Sequence, residues 1–444
     1  MYIFLYRIKY LVNINNIWVI ILLDKVKSGD YMRRDTIFFI VFTLVIFIVY
    51  GLSFTDGKLK ADRKKEILLD NLVGMTIDEV RDYAEDVNIE LEIEYQHSFE
   101  ILKDIVIYQD REVGSIVSNG DVVRIVVSNG EVPASVYQEH KVNELGKVPI
   151  MMYHGIVDIP SSDTKYIGGN VDKDGYNRTA EAFRNDLEFY YENGYRMVRL
   201  SDYVDGIVDV ELGKSPIILT FDDGNKNNFN VLGEENGELV IDPNCAVGIL
   251  EEFKEKYPDY GVTATFFVNS GLFEQSEYNE KILIWLVNHG YDIGNHTMTH
   301  VDFTKIDIDR TKREVGGVYQ ILDRIIPGKY VNIVALPFGS PYKKSHDNYQ
   351  SIMSGEYNGQ AYNTKAALRV GWEAEVSVFD SSFDASFLKR IRAYDNGGKD
   401  FDIEMNFKLL ENKRYVSDGD INTIVVLSGS ENKVISNGRK IIAY

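Results

Sequence analysis

Two adjacent carboxylates, Asp222 and Asp223, stand directly before Gly224 and directly after the apolar run SPIILTF. That run predicts a buried strand, and α/β proteins place their chemistry at the carboxyl ends of such strands. Two acids at one strand end can divide metal-assisted chemistry between them, one as a metal ligand and one as a proton acceptor. A structural role is the alternative, because Asp-Asp-Gly is a common turn and Asp caps helices.

Two histidines in the stretch NHTMTH, His296 and His300, are four residues apart. On a helical turn this spacing lets both imidazoles face one cation, and one carboxylate then completes a two-His, one-carboxylate ligand set. An isolated pair at this spacing is weak evidence, since histidines also occur at surfaces and caps. Its occurrence together with a strand-end Asp-Asp-Gly favours a metal site.

Strand and helix patterns alternate at least five times from Val148 onward, which predicts a parallel sheet, open or closed into a barrel. The predicted strands are VPIMMYH, YRMVRL, SPIILTF, VTATFFV, YDIGNH and VNIVALPFG. Polar residues fall at their ends: His154, Asp222 and Asp223, His296 and His300, and Pro337-Phe338-Gly339. Because the carboxyl ends of parallel strands share one edge, four strand ends can point at one place.

The stretches TFDDG, HTMTH and PFG resemble the first three motifs of the polysaccharide deacetylase family, the NodB-homology or family 4 carbohydrate esterases. The resemblance covers roughly Val148 to Gly339. It implies a distorted (β/α) barrel and a hydrolase that removes acetyl groups from N-acetylated sugars, acting on linear amide carbon–nitrogen bonds with a divalent metal, zinc being the expected ion. It further implies Asp222 as the general base and Asp223, His296 and His300 as the metal ligands.

Two features depart from the family pattern. The third motif usually carries an Arg two residues before its Pro, where this chain has Ala335, and no late Leu-x-His motif follows, since the last histidine is His346. A circularly permuted branch, similar to poly-N-acetylglucosamine deacetylases, places its final strand first with a Tyr-His motif. PIMMYHGI matches that pattern and implies His154 as the general acid, with Tyr153 and Pro337-Phe338-Gly339 contacting substrate.

Several residues around these motifs are open to two interpretations. The stretch from 225 to 245 is longer than a direct strand-to-helix loop, and we favour a neutral insertion over a wall of the substrate groove. Trp372, Arg390 and Arg392 are candidates to line the groove. A core Trp and arginines in surface ion pairs are the simpler expectation.

A smaller module is predicted for residues 66–132. Thr76 and Glu79 form a capping-box pattern ahead of an amphipathic helix, and about three strands follow, ending in SNG. The line NLVGMTIDEVRDYAED with GDVVRIVVSNGE resembles the PASTA module, which implies a wall-facing α+β domain that either binds peptidoglycan or acts as a spacer. Residues 133–147 are expected to be a linker, and residues 148–444 the deacetylase domain.

The run from Thr36 to Phe54 carries no charge and is long enough for a helix to cross a bilayer. No small-residue cleavage site follows it, so we expect an uncleaved transmembrane signal anchor over 36–54. Residues 1–35 are then either cytoplasmic or, in part, upstream of a true start at Met32. Ile17 to Leu23 is an apolar patch too short to span.

Composition limits the choice of partner. The formal charge of −20 argues against nucleic acid, since phosphate binding needs clustered Lys and Arg. The single cysteine, Cys245, excludes an internal disulfide. We therefore expect a single-pass cell-membrane protein whose catalytic domain acts outside the cytoplasm on peptidoglycan or poly-N-acetylglucosamine. The alternative is a non-catalytic wall-binding or sensing protein on a deacetylase-like scaffold.

Overall fold

The computed structural model describes residues 9–14, 17–22, 66–98 and 101–444. The chain divides into two compact units, Met1–Glu131 and Val132–Tyr444. Within the described ranges, no helix is both long and apolar enough to cross a membrane. The transmembrane segment predicted for 36–54 lies outside these ranges. The first described elements are strands β1 (Lys9–Ile14) and β2 (Ile17–Leu22), which pair antiparallel.

The rest of the first unit is a small α+β module with more strands than the sequence predicts. Its elements are β3 (Glu66–Leu68), α1 (Ile77–Val87), β4 (Glu90–Gln96), β5 (Val106–Gln109), β6 (Ile116–Ser118) and β7 (Val122–Ser128). β7 is the centre of a three-stranded sheet, parallel to β4 and antiparallel to β5, while β3 pairs with β6. The two short strands β3 and β6 were not predicted separately.

The capping box predicted at the start of α1 is present. The Thr76 hydroxyl accepts from the Glu79 N–H at 3.3 Å, and the Glu79 carboxylate accepts from the Thr76 N–H at 2.8 Å. Each side chain thus satisfies a backbone N–H that a helix start leaves without a partner. Val80 and Ala84, one helical turn apart, are buried against the sheet.

The second unit alternates helices with strands. Its helices are α2 (Ala134–His140), α3 (Ala180–Glu192), α4 (Leu200–Val204), α5 (Ala246–Lys256), α6 (Asn279–Asn288), α7 (Ile308–Ile325), α8 (Tyr349–Met353) and α9 (Ile403–Leu410). Its strands are β8 (Ile150–Tyr153), β9 (Ile156–Val157), β10 (Arg178–Thr179), β11 (Tyr195–Met197), β12 (Ser215–Phe221), β13 (Val231–Glu235), β14 (Glu238–Ile241), β15 (Thr265–Val268), β16 (Asp292–Asn295), β17 (Ile333–Ala335), β18 (Ser354–Tyr357), β19 (Gln360–Asn363), β20 (Ala366–Leu368), β21 (Ile391–Arg392), β22 (Thr423–Val426) and β23 (Lys440–Ala443).

Eight of these strands form the main sheet, in the order β20-β17-β16-β15-β12-β8-β21 with β11 beside β12. Every pair in it is parallel, as the strand and helix alternation predicts. Leu368 at the end of β20 also bridges to Leu388, just before β21, so the two sheet edges approach each other. The sheet is therefore curved into a partial barrel. Every residue of its central strand β12 is buried, which accounts for the continuous apolar run there.

The stretch 133–147, expected to be a linker, contains α2 and is joined to the C-terminal part of the chain. Asn143 and Lys147 make bridges to Val416 and Arg414. Between them Glu144 is buried, accepting from the Tyr415 hydroxyl at 2.7 Å and the Val425 N–H at 2.8 Å. The stretch 133–147 is held by backbone bridges and polar contacts to a distant segment. Such contacts give no apolar periodicity, so the sequence did not predict that this stretch is part of the fold.

Burial, reinforced by the nearby Asp418, raises the pKa of Glu144 well above its usual value. Below the unfolded-state pKa both states hold the proton, but above it only the unfolded chain ionises freely, so the free energy of unfolding falls as pH rises toward the folded-state pKa. Gln can accept from the Val425 N–H through its oxygen and donate its amide N–H to the Tyr415 hydroxyl oxygen. We therefore expect Glu144→Gln to melt increasingly above the parent as pH rises from about 4.5. Glu139→Gln, on the exposed side of α2, is the control. Parallel melting curves for the parent and Glu144→Gln across this range would contradict the assignment.

Candidate active site

The carboxyl ends of four strands of the main sheet deliver side chains to one pocket of about 350 Å³. β12 ends in Asp222 and Asp223, β8 in His154, β16 leads into His296 and His300, and β17 leads into Phe338. The pocket is lined by His154, Tyr176, Asn177, Asp222, Asp223, Asn225, His296, His300, Leu336, Phe338 and Val370. Parallel strands thus bring together residues from four separate parts of the chain.

Asp223, His296 and His300 form a cluster able to hold a metal ion. The Asp223 Oδ1 lies 3.3 Å from His296 Nε2 and 3.5 Å from His300 Nε2. One ligand atom from each residue lies within 4.8 Å of the other two. One carboxylate and two imidazoles are a donor set that suits zinc and leaves coordination positions open.

The hydrogen bonds around His296 leave its metal-facing nitrogen free. Nδ1 lies 2.9 Å from the Ala335 carbonyl oxygen, so it carries the proton, and the lone pair of Nε2 faces the cluster. Nε2 is buried and has no hydrogen-bond partner in the described part of the chain. Burial lowers the pKa of His296, but Asp222 and Asp223 outweigh it and the pKa is raised. The negative charges that stabilise a proton there would equally stabilise a metal cation.

The spacing of the two histidines suggested a helical turn, but the structure does not place them on one. They occupy an irregular loop after β16, where Thr297 and His300 have positive φ angles of 67° and 51°. Asp223 and Phe338, at 76° and 59°, share this left-handed conformation. Non-glycine residues hold it at a cost that the surrounding structure must offset, and such positions concentrate at functional sites. The motifs therefore specify backbone shape as well as ligand atoms.

Gly224 has a steric reason for its place after the acids. Its φ is 63°, and a Cβ there would lie 2.3 Å from the Leu272 carbonyl oxygen. The backbone after Asp223 thus passes so close to a neighbouring loop that only glycine fits.

The carboxylate of Asp222 is buried and engaged by Arg390 through two hydrogen bonds of 2.7 Å each. Burial raises the pKa of Asp222, but the Arg390 guanidinium outweighs it and holds the pKa well below its usual range. Asp222 therefore stays ionised at neutral pH. The two adjacent acids have distinct surroundings, one beside a guanidinium and the other beside two imidazoles.

Arg390 is the site residue whose placement differs most from expectation. We expected a surface ion pair, but its side chain has 0% exposure, and its Nε donates to the Arg369 carbonyl oxygen at 2.9 Å. Ala335 occupies the motif position where the family usually has Arg, and Arg390 supplies a guanidinium from the segment entering β21. No local spacing signals this pairing, because the partners are 168 positions apart.

His154 follows β8, which lies on the other side of β12 from the strand that leads into the histidine loop. Its ring packs edge-on against Tyr176 at 4.8 Å between centroids, and its carbonyl oxygen accepts from Asn228 at 2.6 Å. Burial lowers the pKa of His154 despite the opposing effect of Asp222 and Asp223. Its Nδ1 is buried without a hydrogen-bond partner among the described residues. The resting ring at neutral pH is therefore neutral.

Three residues that we predicted to contact substrate lie outside the pocket lining. Tyr153 is fully buried, and its hydroxyl bonds to Asp186 at 3.1 Å and Tyr190 at 2.9 Å, away from the pocket. Pro337 and Gly339 are also buried and shape the turn that leaves Phe338 55% exposed at the pocket. Alternation along β8 explains Tyr153, because consecutive side chains point to opposite faces.

The loop 172–177 adds Tyr176 and Asn177 to the pocket, which we did not predict. The Asp172 carboxylate accepts from the N–H groups of Asp174, Tyr176 and Asn177 at 2.7 to 3.1 Å, and so holds the loop closed. Asn177 in turn accepts from the Gly155 N–H at 3.0 Å. The Asp-x-Asp-Gly pattern of this loop was a detectable turn signal.

The long stretch 225–245 forms the hairpin of β13 and β14. At its base Asn230 and Asp242 line a second pocket of about 380 Å³, which shares Asn225 with the first. The hairpin therefore adjoins the site, which favours the groove-wall interpretation that we had ranked second.

Trp372, which we expected in the core, is instead 56% exposed.

Replacing one member of the Asp222–Arg390 pair would leave the other as an uncompensated buried charge. We expect Arg390→Met to lower the free energy of unfolding by about 3–5 kcal/mol, and Asp222→Asn to lower it by a similar amount. The double variant should lose clearly less than the sum, because neither charge remains. Denaturant unfolding of the four proteins measures this coupling. Additive losses would show that the pair does not stabilise the folded chain.

Comparison with known proteins identifies families that match two parts of the chain. The polysaccharide deacetylase family matches residues 209–353, and the PASTA domain matches residues 67–129. A curated relative, the peptidoglycan-N-acetylglucosamine deacetylase of Bacillus cereus, is 29% identical over 126 residues, which are 28% of this chain and 37% of that protein. The match thus spans little more than a third of the relative's length.

Two solved structures align with most of their length. The Streptococcus pyogenes deacetylase PplD, in complex with acetate, is 20% identical and covers 56% of this chain and 93% of its own, with a TM-score of 0.41. A de-N-acetylase of Aggregatibacter actinomycetemcomitans is 12% identical and covers 60% and 99%, with a TM-score of 0.37. These scores are too low to support an argument, so the assignment rests on the sequence matches. The chain carries a polysaccharide deacetylase domain of the NodB-homology family, preceded by a PASTA domain.

Proposed function

We propose that this chain is a metal-dependent hydrolase that removes acetyl groups from N-acetylglucosamine units of a cell-surface polysaccharide. The observation that carries the proposal is the cluster of Asp223, His296 and His300, with an ionised Asp222 and His154 lining the same pocket. These are a ligand set, a base and an acid within one concave site. The family match over 209–353 supports the same chemistry.

The residues present fit a divalent metal, and zinc is the ion we propose. The unpartnered, buried Nε2 of His296 and the nearby Asp223 and His300 would hold it. When bound, such an ion polarises a carbonyl and makes a water molecule more acidic.

Asp222 is placed to act as the base. It is ionised, adjacent in sequence to the proposed metal ligand Asp223, and held in position by Arg390. It is therefore available to accept a proton from the attacking water. Because the guanidinium holds the pKa of Asp222 low, this base is weak but always in the reactive form. Arg390 thus positions the carboxylate and is not itself in the pocket lining.

His154 is placed to protonate the departing amine. Its resting ring is neutral, so it must gain a proton during the reaction before it can donate one. The Phe338 backbone N–H is our candidate to stabilise negative charge on the acetamide oxygen. The next two N–H groups, of Gly339 and Ser340, already donate to the Leu336 and Pro337 carbonyls.

The alternative, a non-catalytic wall-binding or sensing protein, is not favoured. A scaffold that had lost catalysis would be under no constraint to keep Asp223, His300 and Phe338 in left-handed backbone conformations around one pocket. Peptidoglycan and poly-N-acetylglucosamine are both compatible with the motifs. The name of the Bacillus cereus relative and the PASTA domain support peptidoglycan, and the Tyr-His motif at the end of β8 supports the other polymer.

We further propose that residues 36–54 anchor the chain in the cell membrane and that both domains act outside the cytoplasm, where such polymers lie. The uncharged run and the wall-associated PASTA domain support this placement. Protease added to intact cells should then release the deacetylase domain, while a cytoplasmic marker protein remains intact. Protection of the domain until the cells are lysed would contradict the proposed orientation.

The activity itself is tested by acetate release from chitotetraose and from purified peptidoglycan. We expect release that is lost with a chelator and restored by zinc, because the proposed ligand set is needed to activate water. Asp223→Asn should lose both bound zinc and activity. Zinc-replete protein that releases no acetate from either substrate would contradict the proposal.

His154→Ala separates the acid from the metal site. It should bind zinc as the parent does, with kcat reduced by about 10²–10⁴, the usual contribution of a general acid. Zinc content by mass spectrometry and kcat on chitotetraose measure the two effects. An unchanged kcat would remove His154 from the mechanism, and lost zinc would make it a structural element of the metal site.

A further inference from the structure

Arg392 is a half-buried arginine one aromatic ring away from His154. Its Cζ lies 5.4 Å from the ring centroid of Tyr176, the residue that packs against His154 in the pocket. The sheet register explains this placement, since Arg392 on β21 pairs with Met152 on β8, two residues before His154. The guanidinium therefore belongs to the surroundings of the general-acid candidate.

Two tyrosines hold the Arg392 guanidinium in place. Besides Tyr176 it stacks on Tyr394, with Cζ 3.9 Å from the ring centroid. The loop carrying Tyr176 packs closely there, because a Cβ at Gly175 would lie 2.5 Å from the Tyr394 Cβ. Tyr394 is itself anchored by its hydroxyl, which donates to the Asp400 carbonyl. Stacking of this kind orders an arginine and leaves its N–H groups at the ring edges.

The guanidinium N–H groups of Arg392 are available to bind a ligand. Its guanidinium makes no ion pair and no hydrogen bond with the described residues, and its contacts are the two rings. Arg390, two residues earlier, is ion-paired with Asp222 and also donates to the Arg369 carbonyl oxygen, and Arg178 is bound to Asp186 and Asp395. The chain has a formal charge of −20, so carboxylates are plentiful, yet none within the described ranges forms an ion pair with Arg392. An ordered, unpaired guanidinium stacked behind Tyr176, a residue of the pocket lining, is suited to bind an anion.

We propose that Arg392 binds a negatively charged group on the sugar next to the N-acetylglucosamine that is deacetylated, so that the enzyme prefers anionic glycans to neutral ones. This rests on the function proposed above. The same charge disfavours a neighbouring glucosamine, which is cationic, and so opposes processive deacetylation of a homopolymer. The lactyl carboxylate of muramic acid and a sugar phosphate would both supply the anion.

The test uses matched tetrasaccharides that differ in one charged group. They are the alternating N-acetylglucosamine and N-acetylmuramic acid tetramer, the same tetramer with its lactyl groups converted to amides, chitotetraose, and chitotetraose with a single phosphate. Acetate release by the zinc-loaded full chain gives kcat/KM for each. The carboxylate and amide pair isolates charge, because size and linkage are equal.

We expect the parent to favour the carboxylate tetramer over its amide by about tenfold or more, the contribution of one charge-assisted hydrogen bond. Arg392→Gln should reduce this ratio about tenfold, chiefly through KM on the carboxylate substrate. Arg392→Lys, which keeps the charge but loses the planar fork, should retain part of the ratio. Arg324→Gln is the control, because Arg324 is exposed at the C-terminal end of α7, and removing this charge should leave the ratio unchanged.

The outcomes separate this inference from the function on which it rests. Acetate release with equal kcat/KM for carboxylate and amide tetramers, or a ratio that Arg392→Gln does not alter, would overturn the inference and leave the deacetylase activity standing. No acetate from any substrate would overturn the activity itself. A larger Arg392-dependent preference for the phosphorylated chitotetraose than for the carboxylate tetramer would support anion binding and identify phosphate as its source.

Discussion

The charge of Asp222 is the constraint around which the site is built. A carboxylate shielded from water is costly unless a partner compensates it, and the bidentate contact with Arg390 does so here. Arg390 donates one hydrogen bond to each Asp222 oxygen, which leaves each oxygen a second lone pair, and the metal cluster is formed by Asp223 and not by Asp222. The pair also ties the strand end of β12 to the segment entering β21, so the same contact links the sheet's centre to its edge.

The backbone around the cluster is as specific as its side chains. Left-handed conformations at Asp223, His300 and Phe338 aim these residues into one pocket, and Gly224 lets the chain pass beside Leu272. Such conformations persist only when the surrounding packing determines them. The buried apolar strands beneath the pocket provide that packing, with β12 buried along its whole length. Rigid support of this kind keeps ligand atoms in place before any ion binds.

Residues outside the family match complete the site. The match covers 209–353 and thus the metal ligands and Asp222, while His154 precedes it and Arg390 and Arg392 follow it. The strand order explains how they meet, since β8 and β21 are neighbours in the sheet next to β12. β8, the first strand of the sheet in chain order, and β21, the last, together supply residues that a contiguous motif could not bring together. The acid, the partner of the base and the proposed anion contact all come from this pair of strands.

The sequence alone determined the features that depend on neighbouring residues. Apolar runs and helical periodicity predicted the parallel α/β sheet, the Thr76 and Glu79 pair predicted a capping box, and strand-end polar residues predicted which side chains share the pocket. These predictions succeed because burial and capping act over a few positions. The helical turn proposed for His296 and His300 failed, since the same spacing also fits an irregular loop.

Tertiary structure alone decided the partners of these residues. The contact of Asp222 with Arg390 joins positions 168 residues apart, and the Nδ1 contact of His296 uses the backbone oxygen of Ala335, whose side chain carries no signal. The burial of Tyr153 and the unpaired state of Arg392 depend on which strands become neighbours. Charge pairing is set by distances in space, and residues far apart in the chain acquire those distances only when the sheet has assembled.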